Sequence, residues 1–413
     1  MYNPIDFDLR IQVETIKTES ELMIKTIYME LKTKKTLIGI GIILFSITGI
    51  FVSLNVSGKY DPKISSKAIR IDTVPKKLSL FFVGDMMGHK PMIDAALVGD
   101  KYIYDPWFQH IKSHVEKYDL AVANLEVTLA GSPYSGYPLF CSPDSYAKSI
   151  QDTGFDFLIT ANNHSQDKGR KGLERTIDVL DSLKFNHTGT FKNKAERDKL
   201  YPYYWETNGV KIAFLNYSYG TNGIPVTPPN IVNLIDTNQI KIDIKKAQND
   251  GSQFIITTLH WGDEYQRKQN PWQDKLAQWL ADKGVDAIIG MHPHVVQPMK
   301  IIHPKNNLQK SVPVAFSLGN FISNQRDRYK NGGIGVELNL QVLNGKVTWE
   351  NWGYYPFWVQ LGGKPKGYYL IPVSDWEKNT KKYNLTTEET TLIKQFAADT
   401  RDLLKEVKEL LFD

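Results

Sequence analysis

Five short segments hold residues able to bind a cation or move a proton: Gly84-Asp85, Asn124-Leu125-Glu126, Asn162-Asn163-His164, His260-Trp261-Gly262 and Gly290-Met291-His292-Pro293-His294. Carboxylate, amide oxygen and imidazole in one set suit Mn²⁺, Zn²⁺ or Fe. Ca²⁺ prefers oxygen alone, and a structural zinc would call for thiolates. Asp85, Glu126, Asn163, His164, His260, His292 and His294 are more candidates than one tetrahedral ion takes. They suit two divalent ions roughly 3.5–4 Å apart that share a carboxylate, an arrangement that activates water near neutral pH and polarises an ester or amide.

Each segment alone has a plainer explanation. An Asp after a strand often caps a helix, and paired Asn residues often make a turn. Their sorting argues for function. Each follows an apolar run of strand length: Leu78 to Val83, Leu120 to Ala123, Phe155 to Thr160, Phe254 to Leu259 and Ala287 to Ile289. In open α/β sheets functional groups gather just past the carboxyl ends of strands. Of nine histidines, four fall at such ends, while His89, His110, His114, His187 and His303 do not and are expected at the surface. Asp167 is expected to cap the helix after His164 rather than to orient that imidazole. Glu264 and Tyr265 either face substrate or lie on a solvated loop.

The elements that must position these residues alternate. Further apolar runs, Val210 to Leu215 and Val312 to Phe316, interleave with helix-like stretches such as Gly172 to Leu183 and Asp274 to Lys283, the pattern of an α/β fold with buried strands. The Gly- and Pro-rich segment from Tyr217 to Pro229 reads as a long loop at a strand's carboxyl end, where binding sites are shaped. After Gly335 the pattern becomes strand-like, with Asn344-Gly345 as a hairpin turn. From Thr387 to Leu411, Leu392, Phe396, Leu403, Val407 and Leu410 give one apolar face, expected to pack on its own domain rather than to dock elsewhere.

The chain has 413 residues, 41% hydrophobic and 23% charged, an ordinary globular balance rather than a disordered one. Residues Leu37 to Val56 carry no charge, and about twenty apolar residues suffice to cross a bilayer. We therefore expect a tail over residues 1–36, a transmembrane helix over 37–56, a polar linker over 57–76, a main domain over 77–335 and C-terminal strands and helix over 336–413. Lys32, Lys34 and Lys35 before the span favour an inside N-terminus, although Lys59, Lys63, Lys67 and Arg70 follow it. One cysteine, Cys141, excludes an intrachain disulfide. A net charge of +5 gives no ground for a nucleic-acid partner.

Read in order, Gly84-Asp85, Asn124 to Glu126, Asn162 to His164, His260 to Gly262 with Glu264-Tyr265, Gly290 with His292 to His294, and Ser317 to Phe321 resemble the CapA/PgsA family of poly-γ-glutamate capsule synthesis and export proteins. The resemblance covers about residues 78 to 325. It implies a calcineurin-like metallophosphatase sandwich, mixed sheets flanked by helices, held outside the cell membrane by one N-terminal helix. It also implies Asp85, Glu126, Asn163, His260, His292 and His294 as ligands of a divalent metal, two ions of Mn, Zn or Fe, with Glu126 in the bridging place. His164 then faces the leaving group, and Asn124, Glu264, Tyr265 and Asn320 stand near substrate. Two departures are visible: Met87 stands where the metallophosphatase motif has His, and Glu126 where it has Asp. The implied partners are a membrane-bound polymer ligase, channel subunits and the anionic polymer. A phosphoesterase of unrelated substrate, or a scaffold without turnover, would fit the same motifs.

Overall fold

A computed structural model describes residues 74–361 and 367–412 of the chain. The expected tail, membrane helix and most of the linker lie outside them. Among the described residues no helix is long and apolar enough to cross a membrane.

The main strands, in chain order, are β1 (Lys76–Met86), β2 (Leu120–Leu125), β3 (Phe157–Ile159), β4 (Asn186–Thr188), β5 (Tyr203–Thr207), β6 (Val210–Ser218), β7 (Phe254–His260), β8 (Ala287–Met291), β9 (Met299–Ile302), β10 (Val312–Ala315), β11 (Asn320–Ile322), β12 (Gly332–Leu343), β13 (Lys346–Leu361) and β14 (Tyr368–Pro372). They form two mixed sheets. The first runs β14-β13-β12-β1-β2-β3-β4, with β11 paired to the end of β1. The second runs β9-β10-β8-β7-β6-β5. Strands β1 to β4 are mutually parallel, as are β6, β7, β8 and β10; β12, β13 and β14 add antiparallel pairs.

Alternation along the strands explains why the sheets stack. Leu78, Leu80 and Phe82 of β1 point into one core with Ile212 and Phe214 of β6 and Ile256 of β7. Their neighbours Phe81 and Val83 point the other way, into a core closed by helices. On the far side Ala213, Leu215 and Tyr217 of β6 meet Ile240 and Ile244 of one helix and Leu276 and Leu280 of another. A period of two, apolar on both faces, requires cover on both sides. The result is helix, sheet, sheet, helix, which is the layering expected of a calcineurin-like sandwich.

The relevant helices are α1 (Lys90–Ala96), α2 (Asp144–Asp152), α3 (Gly169–Ser182), α4 (Thr237–Asn249), α5 (Pro271–Asp282) and α6 (Thr387–Leu403). Asn270 caps α5 in a reciprocal box with Gln273, and Pro271 occupies its first turn. Strand β12 pairs antiparallel with β1 along eight residue pairs, so residue 335 lies inside a strand of the first sheet. Helix α6 buries Ile393, Phe396 and Ala397 against Trp358 and Ile371, and the chain beyond it returns to Tyr354, where Leu410 N–H donates to the carbonyl. The C-terminal face is thus packed on its own domain. One expectation fails here: His114 is buried, not superficial, with Phe412 stacked on its ring at 4.1 Å.

Candidate metal centre

The parallel strands of both sheets end at one place. Asp85 comes from β1, Asn124 from β2 and Glu126 from the residue just past its end, Asn163 and His164 from the turn after β3, His260 from β7, and His292 and His294 from the turn after β8. Two sheets supply them, so the edge read from the sequence as one is a junction of two. All eight are buried.

Local backbone features aim these side chains. The pairing of β1 with β2 slips between Val83 and Asp85, and a Cβ on Gly84 would stand 2.0 Å from the Gly319 carbonyl oxygen. This bulge breaks the strict alternation and turns Asp85 toward the second sheet. Gly290 lets β8 approach Phe316 equally closely, since a Cβ there would also lie 2.0 Å from a carbonyl oxygen. His292 and His294 both hold positive φ, 100° and 57°. Non-glycine residues in such conformations cost on the order of 1–3 kcal/mol each, a cost retained mainly at functional sites.

The geometry divides into two groups that share one residue. Glu126, His260 and His292 can each place a ligand atom within 4.8 Å of the others, and so can Asp85, Glu126 and His294. In the first group His260 Nε2 lies 2.8 Å from Asn163 Oδ1, 3.2 Å from His292 Nδ1 and 3.4 Å from Glu126 Oε1. In the second, His294 Nδ1 lies 3.1 Å from Asp85 Oδ2, and its Nε2 lies 3.8 Å from Glu126 Oε1.

Do these residues fit a divalent cation? One proton on His260 Nε2 cannot serve an amide oxygen, an imidazole nitrogen and a carboxylate at once, so electron-pair donors exceed protons. Both oxygens of Glu126 are buried without a hydrogen-bond partner, a costly state for an ionised carboxylate. Burial first, then the charge of Asp85, pushes the Glu126 carboxyl well above the usual range. Burial, followed by neighbouring imidazoles, holds His260 and His292 well below theirs. Neutral imidazoles around an unsatisfied carboxyl fit a cation that supplies the missing positive charge.

Partners outside the cluster fix its members. Asn163 Nδ2 donates to Asn222 Oδ1 at 3.2 Å, which leaves Asn163 Oδ1 facing His260. Tyr219 from the same long loop lays its ring 4.5 Å from that of His292. His164 Nδ1 lies 2.7 Å from Asp167 Oδ2, which also accepts from Phe140 N–H at 2.6 Å. Asp167 therefore orients His164 and does not cap α3, whose N-terminus has no side-chain cap.

The residues expected near substrate separate. Tyr265 is exposed at the rim, its ring 6.1 Å from that of His294, and Glu264 is exposed beside it. Asn124 and Asn320 are fully buried. The Asn124 amide donates to Asp85 Oδ1 at 2.8 Å, and that of Asn320 to the carbonyls of His294 and Lys330. Both amides thus hold ligand-type residues in place. His89, expected as a stray surface residue, instead borders the site: Phe140 lies edge-on to both His89 at 5.1 Å and His164 at 4.6 Å. Burial, and then the charges of His294 and His164, lower His89 to a pKa of about 4. Tyr219 and Asn222 lay in a loop already read as site-forming; nothing in the local pattern singled out His89.

A family model described as "Bacterial capsule synthesis protein PGA_cap" matches residues 79–325. The chain is 26% identical over 261 residues to "Capsule biosynthesis protein CapA" of Bacillus anthracis, covering 60% of this chain and 61% of that one. It is 25% identical over 258 residues to "PGA biosynthesis protein CapA" of Bacillus subtilis (strain 168), covering 60% and 64%. The alignments thus span less than two thirds of these relatives. Among solved structures, the NAD nucleotidase NadN of Haemophilus influenzae is similar at a TM-score of 0.46 and 13% identity, over 80% of this chain and 61% of that one. The calcineurin-like phosphoesterase YfkN of Bacillus subtilis is similar at 0.39 and 18%, over 81% and 99%. These structural likenesses are too loose to argue chemistry from. The family match, which takes in every ligand-type residue of the cluster, is decisive: the chain belongs to the bacterial capsule synthesis protein family PGA_cap.

Proposed function

We propose that this chain is a membrane-anchored component of poly-γ-glutamate capsule synthesis or export, acting outside the cell beside a polymer ligase and channel subunits. Its cluster would hold one or two divalent cations for hydrolytic or transfer chemistry on the polymer. The observation that carries the metal reading is Glu126, a buried carboxyl without a hydrogen bond, common to two groups of ligand-type side chains. Family membership and the two relatives named for capsule or PGA biosynthesis support the polymer. The uncharged stretch from Leu37 to Val56 supports the anchor.

In this reading Glu126, His260, His292 and Asn163 would bind one cation, and Asp85, Glu126 and His294 a second. Such cations supply electrophilic polarisation of a carbonyl or phosphoryl group and a lowered pKa for water. The chain's own part is positional. Asp167 takes the hydrogen bond of His164 Nδ1, so that in the imidazolium form Nε2–H would be the group that passes a proton to the leaving nitrogen or oxygen. Tyr219 and Phe140 cover His292 and His164 and exclude water from them.

Met87 favours a second, one-cation reading. It is 1% exposed and packs in the outer core, so no imidazole from that position completes the group around Asp85. Equilibrium dialysis of the full-length chain in detergent against Mn²⁺ and Zn²⁺ counts the ions. Assays on a phosphoester and a γ-glutamyl oligomer then test turnover. Wild-type capsule from cells whose only copy carries His292→Ala and His294→Ala would sink the metal-dependent reading. Normal export by a variant lacking residues 1–56 would sink the anchored one.

A further inference from the structure

A second set of polar groups adjoins the cluster on the His164 side. Asn324 is its hub. Its backbone N–H donates to His89 Nδ1 at 3.3 Å, and its side-chain oxygen accepts from Tyr368 Oη at 2.6 Å and from Arg326 Nη2. With Nδ1 of His89 acting as acceptor, the ring proton of the neutral imidazole sits on Nε2, for which no protein acceptor is found among the described residues. Phe140 lies edge-on to both His89 and His164, so one ring touches both imidazoles.

Arg326 is unusual in its company. Arg170, Arg175, Arg197, Arg328 and Arg401 each hold a carboxylate. Arg267 is bound to the Asp399 carbonyl and lies over Tyr329. Arg326 forms no ion pair among the described residues; its guanidinium donates to Asn324 and contacts Tyr368, whose ring lies 5.4 Å away. A guanidinium with donors to spare, linked through Asn324 to an imidazole, matches the oxygens of a carboxylate or phosphate.

We propose that His89 and Arg326, joined through Asn324, form an oxyanion subsite that takes a negatively charged group on the leaving portion of the substrate. The proposal rests on the polymer reading for its natural ligand. In a γ-glutamyl chain the carbon bearing the leaving nitrogen also bears a free carboxylate, so a carboxylate-reading group must stand next to whatever protonates that nitrogen. His164 is that group here, and Phe140 touches both it and His89. The same subsite would accept a phosphate oxygen, because the donors recognise charge and shape and not the central atom.

The test is ligand binding by calorimetry to the Mn²⁺-loaded full-length chain, comparing wild type with Arg326→Gln and Arg326→Lys. The ligands are a γ-glutamyl oligomer, its methyl ester and inorganic phosphate. We expect Arg326→Gln to weaken the oligomer about tenfold, in line with loss of one charge-assisted contact. Arg326→Lys should restore part of that loss, and the methyl ester should bind both forms alike. Unchanged Mn²⁺ affinity in both variants shows that the fold and cluster are intact. If wild type binds the oligomer and Arg326→Gln binds it equally well, the subsite is wrong while the polymer reading stands. If wild type ignores the oligomer but binds phosphate in an Arg326-dependent way, the subsite stands and the polymer reading falls. Arg326-independent binding of every anion, or no binding of any, overturns the subsite.

Discussion

Asp167 Oδ2 accepts hydrogen bonds from both His164 Nδ1, at 2.7 Å, and Phe140 N–H, at 2.6 Å. One carboxylate thus fixes the imidazole proposed to face the leaving group and the loop that covers it. Asp167→Asn keeps the size but allows the amide to present N–H to Nδ1, which favours the wrong tautomer. Loss of a partner that orients an active-site group costs about 10–100-fold. Turnover should fall by that factor with Mn²⁺ affinity unchanged, and the downfield NMR signal of the His164 Nδ1 proton should disappear. A retained signal with full activity would refute the orienting role.

Glu126→Gln removes the charge common to both ligand groups. Losing a hydrogen-bond partner of a ligand costs roughly 10–100-fold, so losing the shared ligand should weaken Mn²⁺ by more than about 100-fold. The metal-free variant should be at least as stable as the wild type at pH 8, because a neutral amide replaces a buried, unbonded carboxyl. Isothermal titration and thermal melts in chelator measure both.

The dependence on pH has two arms. The Glu126 pKa is raised in the folded, metal-free chain, so its contribution is fully present below the unfolded value of 4.5 and is lost as pH rises through the folded value. His260 and His292 are lowered, so their contribution is present above 6.5 and is lost as pH falls toward their folded values. A cation requires Glu126 ionised and the imidazoles neutral, and its binding displaces the Glu126 proton. The rise in Tm on adding Mn²⁺ should therefore be larger at pH 8 than at pH 6. An equal rise at both would show that Glu126 is already ionised in the metal-free chain.

His292→Gly separates ligation from strain. The backbone at φ 100° suits glycine far better than histidine. Metal binding should be lost while the metal-free protein gains about 1 kcal/mol, the scale of relieved strain at such a position. Denaturant melts in chelator would show the gain, and a loss of stability instead would mean that the imidazole packing against Tyr219 outweighs the strain.

Phe412→Ala tests whether the last residues belong to the domain. The side chain is 3% exposed, stacks on His114 and meets Phe357. Truncating a buried Phe costs about 3–5 kcal/mol. A drop in Tm of several degrees is expected, and an unchanged melt would make the C-terminal segment a detachable tail.

Much of the site was legible because its ligand-type residues follow apolar runs directly. Asp85, Glu126, Asn163, His164, His260, His292 and His294 could be grouped without knowing how the strands pair, since parallel strands deliver their carboxyl ends to one edge. Asp167 could not be read correctly: an Asp two residues before a helix has the same local pattern whether it caps that helix or turns back to a histidine three residues earlier. His89, Asn324 and Arg326 share no period or motif, and they meet only because β11 pairs with the end of β1.

Periodicity and residue type by themselves determined the α/β class, the uncharged stretch before the domain and the candidate donors of the site, because those depend on local pattern. The tertiary structure alone decided that two sheets rather than one supply the donors, that Glu126 is common to both ligand groups and that Asn124 and Asn320 bind Asp85 and the His294 carbonyl. Each of these depends on which strands pair and on a bulge at Gly84, and strand pairing over such separations is set by the fit of whole buried faces.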